Sequence, residues 1–275
     1  MANVFLRYYV HNFDPFLVKF PPSWSIQGIR WYGVAYLSAF IFAAWFLKHE
    51  HTRGRLKLND TQQQNFLFTV FCGMLLGGRL GYVLFYKFDY YLKRPLEIFA
   101  VWEGGMASHG GMIGILIALW IFGRRYHYSV FSLADLTVPL GTLGIFLGRC
   151  ANFINGELYG TVTNVPWAVV FPNNPLPRHP SQLYEALGEG LLLLLWSMHF
   201  LRKNAHLKTH TGLLASHFLI YYGLIRYILE LFREPDAEFI GCFSRGQFYS
   251  IFMVIVGIVC CFYVKKYPQE GCVFG

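Results

Sequence analysis

Residues 130–160 read VFSLADLTVPLGTLGIFLGRCANFINGELYG. The part from 130 to 147 is almost wholly apolar, which suits a lipid environment, whereas 148–160 brings together an arginine, two asparagines and a glutamate. Polar groups are costly in hydrocarbon unless they are paired, so this cluster must be either satisfied or functional. The stretch therefore predicts a membrane helix that ends in a candidate functional segment.

The composition of the whole chain is typical of a membrane protein. Of its 275 residues, 55% are hydrophobic and 14% are charged, whereas about a quarter are charged in soluble domains. Long apolar runs recur along the chain, and they are continuous rather than alternating, which favours helices over strands. The sequence predicts an all-α polytopic membrane protein that forms one integral-membrane domain over residues 1–275. It has about seven transmembrane helices, near 29–47, 65–86, 108–123, 130–148, 181–201, 212–232 and 246–264.

The distribution of lysine and arginine predicts the orientation. With the N-terminus outside, the inside segments would be 48–64, 124–129, 202–211 and 265–275, and these are richer in lysine and arginine than the outside segments 1–28, 87–107, 149–180 and 233–245. The positive-inside rule then favours an outside N-terminus and a cytoplasmic C-terminus. Residues 1–28 mix aromatic and charged side chains, so we expect an interfacial helix or surface loop there.

Several function classes are disfavoured. The formal net charge of +8 suits anionic lipid, but the basic residues are spread over short loops, so nucleic acid is not an expected partner. The six cysteines show no CxxC spacing, which indicates that they pack as small apolar side chains rather than take part in metal or redox chemistry. Nucleotide, zinc and serine-hydrolase motifs are missing from the sequence, so we expect no cofactor and no metal.

Charged residues inside predicted spans are candidates for function, because each costs roughly 3 kcal/mol at the bilayer centre. Arg226 and Glu230 are four apart, so an intrahelical ion pair competes with a functional role. Glu185 and Glu189 repeat this spacing with like charge, which requires a cation or hydrogen-bond donors opposite. The candidates are Arg79, Asp135, Glu185, Glu189, Arg226 and Glu230.

Arg79 and His109 both lie among glycines, in GGRLGY (77–82) and GGMASHGG (104–111). Glycine lets either a ligand or another helix approach closely, so both a binding and a packing role stay open. Histidine titrates near neutral pH and is the natural general acid or base, although a structural role is common for a lone histidine.

The polar end of the opening stretch offers groups that suit a phosphate. Arg149 carries a planar fork of donors, Asn152 and Asn155 are placed to orient it or to bind ester carbonyls, and Glu157 is expected to anchor it. The alternative is a polar helix C-terminus, with Gly156 and Gly160 in the turn that follows.

The stretch GRCANFINGELYG resembles the signature of prolipoprotein diacylglyceryl transferases, GR-x-G-N-F-x-N-x-E-x-x-G, with Ala151 in place of one glycine. Further stretches resemble the same family in the same order, over roughly residues 28 to 264: RWYGVAYL (30–37), GGRLGYVLFY (77–86), WEGGMASHGG (102–111), RHPSQLYE (178–185) and YGLIRYILELFREPD (222–236). The resemblance implies a multi-pass enzyme of the bacterial inner (cytoplasmic) membrane with seven spans and an outward-facing N-terminus.

The resemblance also implies a reaction. The diacylglyceryl group of phosphatidylglycerol moves to the thiol of a lipobox cysteine in a prolipoprotein, a thioether forms, and glycerol phosphate leaves. His109 is the expected base, since the thiolate is the nucleophile, while Arg149 and Arg226 would stabilise the phosphate. Glu157 and Glu230 would hold the arginines, and Tyr32, Asn152 and Tyr222 would position lipid or thiol. The residues implied by the motifs are Tyr32, His109, Arg149, Asn152, Glu157, Gly160, Tyr222, Arg226 and Glu230.

Two other classes of protein also explain charges inside spans. A transporter or channel would do so, but the sequence lacks an inverted repeat and matching pairs of broken spans. A structural protein with buried ion pairs that fix helix register would do so as well. A purely structural role does not explain why the polar clusters around His109 and Arg149 are both predicted at the outer face of the membrane.

Overall fold

The computed structural model describes residues 8–21, 23–24, 27–100, 104–172, 174–203, 210–234, 241–267 and 270–275. The chain divides into two compact units. The first unit comprises residues 1–42 and 135–268, and the second comprises residues 43–134 and 269–275. The candidate residues fall into both units, and each unit is described by itself.

Helix dominates the described residues, as the apolar runs predict. The α-helices are α1 (Trp31–Thr52), α2 (Asp60–Tyr86), α3 (Phe88–Lys93), α4 (Ser108–Tyr126), α5 (Val130–Asn155), α6 (Ser181–Glu185), α7 (Leu193–Lys203), α8 (Leu213–Leu229) and α9 (Arg245–Lys266). A π-helical segment, Ala186–Leu192, joins α6 to α7. Two 3₁₀ turns cover Pro95–Phe99 and Glu230–Phe232.

The predicted spans all fall largely on helix. Within the described ranges, four helices are both long enough and apolar enough to cross a bilayer, namely α1, α2, α5 and α9. The prediction of a helical membrane protein is therefore confirmed. The number of seven crossings, the orientation of the termini and the single domain over 1–275 stay predictions.

Helix α5 is longer than predicted. The sequence prediction ended this span at residue 148 and placed 149–180 outside the membrane, but the helix continues to Asn155 and contains Pro139. Gly156 follows with a φ of 67°, the left-handed conformation in which glycine commonly ends a helix. Arg149 and Asn152 consequently lie on helical turns, where a rigid backbone holds their side chains.

Short strands lie outside the helices in the first unit, where no strand was predicted. β2 (Phe16–Lys19) and β3 (Gly28–Arg30) form an antiparallel hairpin, so the expected interfacial helix or surface loop is wrong for these residues. β1 (Tyr9–Val10) pairs in parallel with β4 (Val169–Val170), which is antiparallel to β5 (Pro177–Arg178). Strands of two to four residues are too short to produce a recognisable alternation in the sequence.

Buried Asp135 holds the start of α8 in the first unit. Its two carboxylate oxygens accept the backbone N–H groups of Gly212, at 2.6 Å, and Ala215, at 2.7 Å. These N–H groups lie at a helix N-terminus and have no partner within the helix. Asp135, one of the charged residues inside predicted spans, therefore has a structural role: it fixes the helix that carries Arg226 and Tyr222.

Helices α2 and α4 of the second unit pack through glycines. A methyl group on Gly77 would lie 2.3 Å from the carbonyl oxygen of Gly110, and one on Gly114 would lie 1.9 Å from that of Gly73. Both distances are far inside van der Waals contact, so only glycine permits this approach. Gly77 and Gly81 near Arg79, and Gly110 beside His109, thus serve helix packing, one of the two roles that the sequence left open.

Candidate active site

Glu185 and Glu189 lie on adjoining turns of the first unit, at the end of α6 and in the π-helical segment. Both side chains are completely buried. Two buried carboxylates of like charge repel each other, so they require cations nearby. Arginines from α5 and α8 lie opposite them, which confirms the sequence expectation for this pair.

Arg226 on α8 contacts three carboxylates. Its Nη1 donates to Glu185 Oε1 at 2.6 Å and to Glu189 Oε1 at 3.2 Å, and its Nη2 donates to Glu230 Oε2 at 2.7 Å. The ion pair of Arg226 with Glu230, one of the two alternatives that the sequence left open, is present, but it is only one part of a larger network. Glu230 is held in addition by the Ser244 hydroxyl, which donates to its Oε1 at 3.1 Å.

Arg149 on α5 approaches the same acid pair from another helix. Its Nη1 lies 3.0 Å from Glu185 Oε2, and its Nη2 lies 3.7 Å from Glu189 Oε2. These two are its ion partners among the described residues, so the prediction that Glu157 anchors Arg149 is wrong. Glu157 follows the Gly156 turn that ends α5, and its carboxylate binds other side chains instead.

Arg149, Arg226 and Arg233 together face Glu185, Glu189 and Glu230, so the formal charges of this ion cluster balance. Charge balance matters because an uncompensated buried charge costs several kcal/mol. The three arginines differ in access: 19% of the Arg149 side chain is exposed, against 13% for Arg226 and 8% for Arg233. Arg149 is therefore the arginine best placed to receive an anion from outside the cluster.

Glu157 organises a second group of polar side chains. The Tyr32 hydroxyl donates to Glu157 Oε1 at 2.6 Å, and Asn152 Nδ2 donates to the same oxygen at 2.9 Å and also to the Tyr32 hydroxyl. Gln182 Nε2 donates to the backbone carbonyl of Glu157 at 2.6 Å. The structure thus brings Tyr32 to Asn152 and Glu157, which lie more than a hundred residues further along the chain.

Gly160 and Tyr222 have different surroundings. A methyl group on Gly160 would lie 2.2 Å from the Phe232 carbonyl oxygen, and the Gly160 N–H donates to the His179 carbonyl at 2.9 Å. Close backbone packing therefore accounts for the glycine.

Tyr222 is half-buried one turn before Arg226 on α8, with its ring 5.5 Å from that of Phe218.

His109 belongs to the second unit. It lies in the first turn of α4 and is exposed, next to Gly110, which packs against Gly77. The other predicted site residues, Tyr32, Arg149, Asn152, Glu157, Gly160, Tyr222, Arg226 and Glu230, all belong to the first unit.

Several members of the site were not assigned a role from the sequence. Glu185 and Glu189 were noted only as buried charges, although they join Arg149 to Arg226. Arg233 and Ser244 were not singled out, and their contacts with Glu185 and Glu230 come from folding. The seven-residue spacing of Arg226 and Arg233, two helical turns, was the available signal for Arg233.

The chain belongs to the prolipoprotein diacylglyceryl transferase family, whose family model matches residues 21–263. It is 45% identical over 271 residues to the phosphatidylglycerol–prolipoprotein diacylglyceryl transferase of Photobacterium profundum, with 97% of this chain and 98% of the relative covered. The enzyme of the same name from Idiomarina loihiensis is 44% identical, with coverage of 90% and 93%. That from Mannheimia succiniciproducens is 42% identical, with 99% of both chains covered. The resemblance found in the sequence motifs is confirmed.

Proposed function

We propose that this protein transfers the diacylglyceryl group of phosphatidylglycerol to prolipoproteins, the first step of lipoprotein maturation. The observation that carries this proposal is the convergence of Arg149 and Arg226 on Glu185, at 3.0 and 2.6 Å, in a membrane protein of this family. Arginine in a fixed orientation suits a phosphodiester headgroup, because its planar fork binds two oxygens at once.

The acceptor is the thiol of a lipobox cysteine. A sulfur–carbon bond forms at the glyceryl carbon, the bond from that carbon to the phosphate oxygen breaks, and glycerol phosphate leaves with the bonding electrons. His109 takes the thiol proton, because the thiolate is the nucleophile. None of these steps requires a cofactor or a metal.

The arginines have separate tasks. Arg149, the more exposed of the two, binds the headgroup phosphate, while Arg226 is held by three carboxylates and provides fixed positive charge beside the leaving oxygen. Positive charge fixed in a low-dielectric site stabilises negative charge that develops in the transition state. Glu185, Glu189 and Glu230 keep the guanidinium groups in place.

The remaining site residues position the substrates. Tyr32, Asn152 and Glu157 form one hydrogen-bonded group, whose amide and hydroxyl suit the ester and glyceryl oxygens of the lipid. Tyr222 on α8 lies one turn before Arg226 and contacts lipid or thiol, and Gly160 preserves the close backbone packing against Phe232 and His179.

The reaction takes place at the outer face of the bacterial inner membrane, where phosphatidylglycerol and secreted prolipoproteins meet. The predicted seven spans and outside N-terminus agree with this location. The partners are phosphatidylglycerol, the surrounding membrane lipid and prolipoprotein signal peptides with a lipobox cysteine, and nucleic acid is not among them.

The test uses purified protein in phosphatidylglycerol vesicles with a lipobox peptide. Peptide mass and released glycerol phosphate are followed for the wild type, Arg149→Gln, His109→Asn and the control Arg53→Gln, whose exposed side chain follows α1. We expect a mass gain of one diacylglyceryl group in the wild type and the control. Both site variants should lose about 10²-fold or more in rate while staying folded. If the folded wild type gives no mass gain in the peptide, the proposed transfer is wrong, and a transporter or a structural protein becomes the better explanation.

A further inference from the structure

Arg79 on α2 is buried in the second unit, with 3% of its surface exposed. Its guanidinium donates to four backbone carbonyls. Nε binds Ile98 O at 2.8 Å, Nη2 binds Glu97 O at 2.6 Å, and Nη1 binds Gly104 O at 2.5 Å and Gly105 O at 3.3 Å. The guanidinium carbon also lies 5.2 Å from the centre of the Tyr91 ring. All of these partners belong to the stretch between α2 and α4.

The Arg79 guanidinium is bound by these backbone carbonyls rather than by the carboxylate of Glu97. The side chain of Glu97 points to other partners: its Oε2 accepts from the Tyr90 hydroxyl at 2.5 Å, and its Oε1 lies 3.3 Å from Arg94 Nη1. Only the backbone oxygen of Glu97 binds Arg79. Donors on three nitrogens of one rigid plane are needed to reach these carbonyls together, and lysine, with a single nitrogen, cannot reproduce them.

Two of the acceptors lie in an unusual backbone conformation. Gly104 and Gly105 have φ angles of 86° and 74°, which only glycine adopts readily. A methyl group on Gly105 would also lie 2.6 Å from Tyr82 Cε1. The two glycines therefore allow a tight left-handed turn beneath the Arg79 fork.

The chain then passes directly into α4. The Ala107 N–H donates to the Gly78 carbonyl at 2.9 Å, and a methyl group on Gly81 would lie 2.8 Å from Gly110 Cα. Consecutive turns of α2 thus hold the backbone before and after His109. The Arg79 fork holds the turn before it, and the glycine contact fixes the helix after it.

We propose that Arg79 is a positioning residue for the transfer reaction. It fixes the turn at Gly104 and Gly105, so that the first turn of α4 presents His109 in a constant place and orientation. This inference rests on the proposed function, in which His109 takes the thiol proton. Arg79 acts through the backbone and does not touch either substrate.

The variants Arg79→Lys and Arg79→Gln test this role, with Arg94→Gln as a matched control. Arg94 lies in the same stretch, but it is exposed and pairs at the surface with Glu97. Arg79→Lys keeps the charge and loses the fork. We expect its kcat per folded molecule to fall at least about tenfold, with the KM for phosphatidylglycerol within about threefold of wild type, because small displacements of a catalytic group are costly. Arg94→Gln should match wild type in both constants.

Hydrogen exchange of the amides at 104–107 provides the second readout. It should become faster in both Arg79 variants and stay unchanged in Arg94→Gln. A kcat per folded molecule equal to wild type in Arg79→Lys would overturn the inference, and so would unchanged exchange at these amides. A wild type that transfers no diacylglyceryl group would overturn the proposed function instead, and the exchange data would still show whether Arg79 holds the turn.

Discussion

Glu185 Oε1 lies 2.6 Å from Arg226 Nη1, a contact that joins the end of α6 to α8 in the buried part of the first unit. The same carboxylate also lies 3.0 Å from Arg149 and 3.2 Å from Arg233. One completely buried glutamate therefore links Arg149 to two arginines that lie far from it along the chain. The stability of the site and the orientation of its arginines both depend on this residue.

Replacement of Glu185 by glutamine should destabilise the protein and inactivate it. The change leaves three arginines with two carboxylates, and breaking an ion pair at a fully buried carboxylate costs about 3–5 kcal/mol. Thermal unfolding in detergent and the transfer rate per folded molecule measure the two effects. Glu97→Gln, at an exposed surface pair, is the control and should change stability by less than about 1 kcal/mol. An unaltered unfolding temperature in Glu185→Gln would contradict the central role of this carboxylate.

Gly160→Ala should unfold at a clearly lower temperature than wild type. Its methyl group would overlap the Phe232 carbonyl oxygen at 2.2 Å, and relief of such an overlap by backbone shifts costs about 1–3 kcal/mol. Gly144→Ala is the matched control, because a methyl group there meets no atom within 4 Å and alanine favours helix by about 0.5–1 kcal/mol. If both variants have the same stability, the close packing at Gly160 is not a constraint.

Asp135→Asn should weaken the start of α8. In the wild type, each carboxylate oxygen of Asp135 accepts one backbone N–H. Asparagine has only one acceptor oxygen, so its NH₂ group would face the other N–H and leave that donor without an acceptor. An unsatisfied buried donor costs about 1–3 kcal/mol, so we expect a loss of that size in the free energy of unfolding. Hydrogen exchange should be faster at the amides of Gly212 and Ala215 than in wild type. Wild-type protection at both amides would show that the aspartate does not cap this helix.

His179 gives the protein a stability term that depends on pH. Burial lowers the pKa of His179, so in mildly acidic solution the unfolded chain binds more protons there than the folded chain. Its contribution is therefore intact above the ordinary histidine pKa of about 6.5 and is lost as the pH falls below it. Between about pH 7.5 and pH 5.5, the wild type should lose more stability than His179→Gln. Equal losses in the wild type and His179→Gln would contradict this contribution.

The helices were predictable from the sequence, because long continuous apolar runs are a strong local signal. The need for cations beside Glu185 and Glu189 was also predictable, since it follows from their spacing alone. The sequence could not show which arginine meets which glutamate. Contacts between α5, α6 and α8 depend on how the helices pack, and this is why Glu157 was wrongly paired with Arg149. The short strands were missed because two to four residues carry no periodicity.

The π-helical segment decides where this region can lose a residue. A π-helical turn holds about one residue more than an α-helical turn, and each residue of an α-helix turns the chain by about 100°. Loss of one residue from Ala186–Leu192 is absorbed when its wide turns close into regular α-helical turns, so α7 keeps nearly the same face towards its neighbours. Loss of one residue at the start of α7 would instead rotate the rest of that helix by about 100°, and buried Ser197 would turn away from its neighbours. Single-residue deletions should therefore be tolerated better in the π-helical segment than in α7.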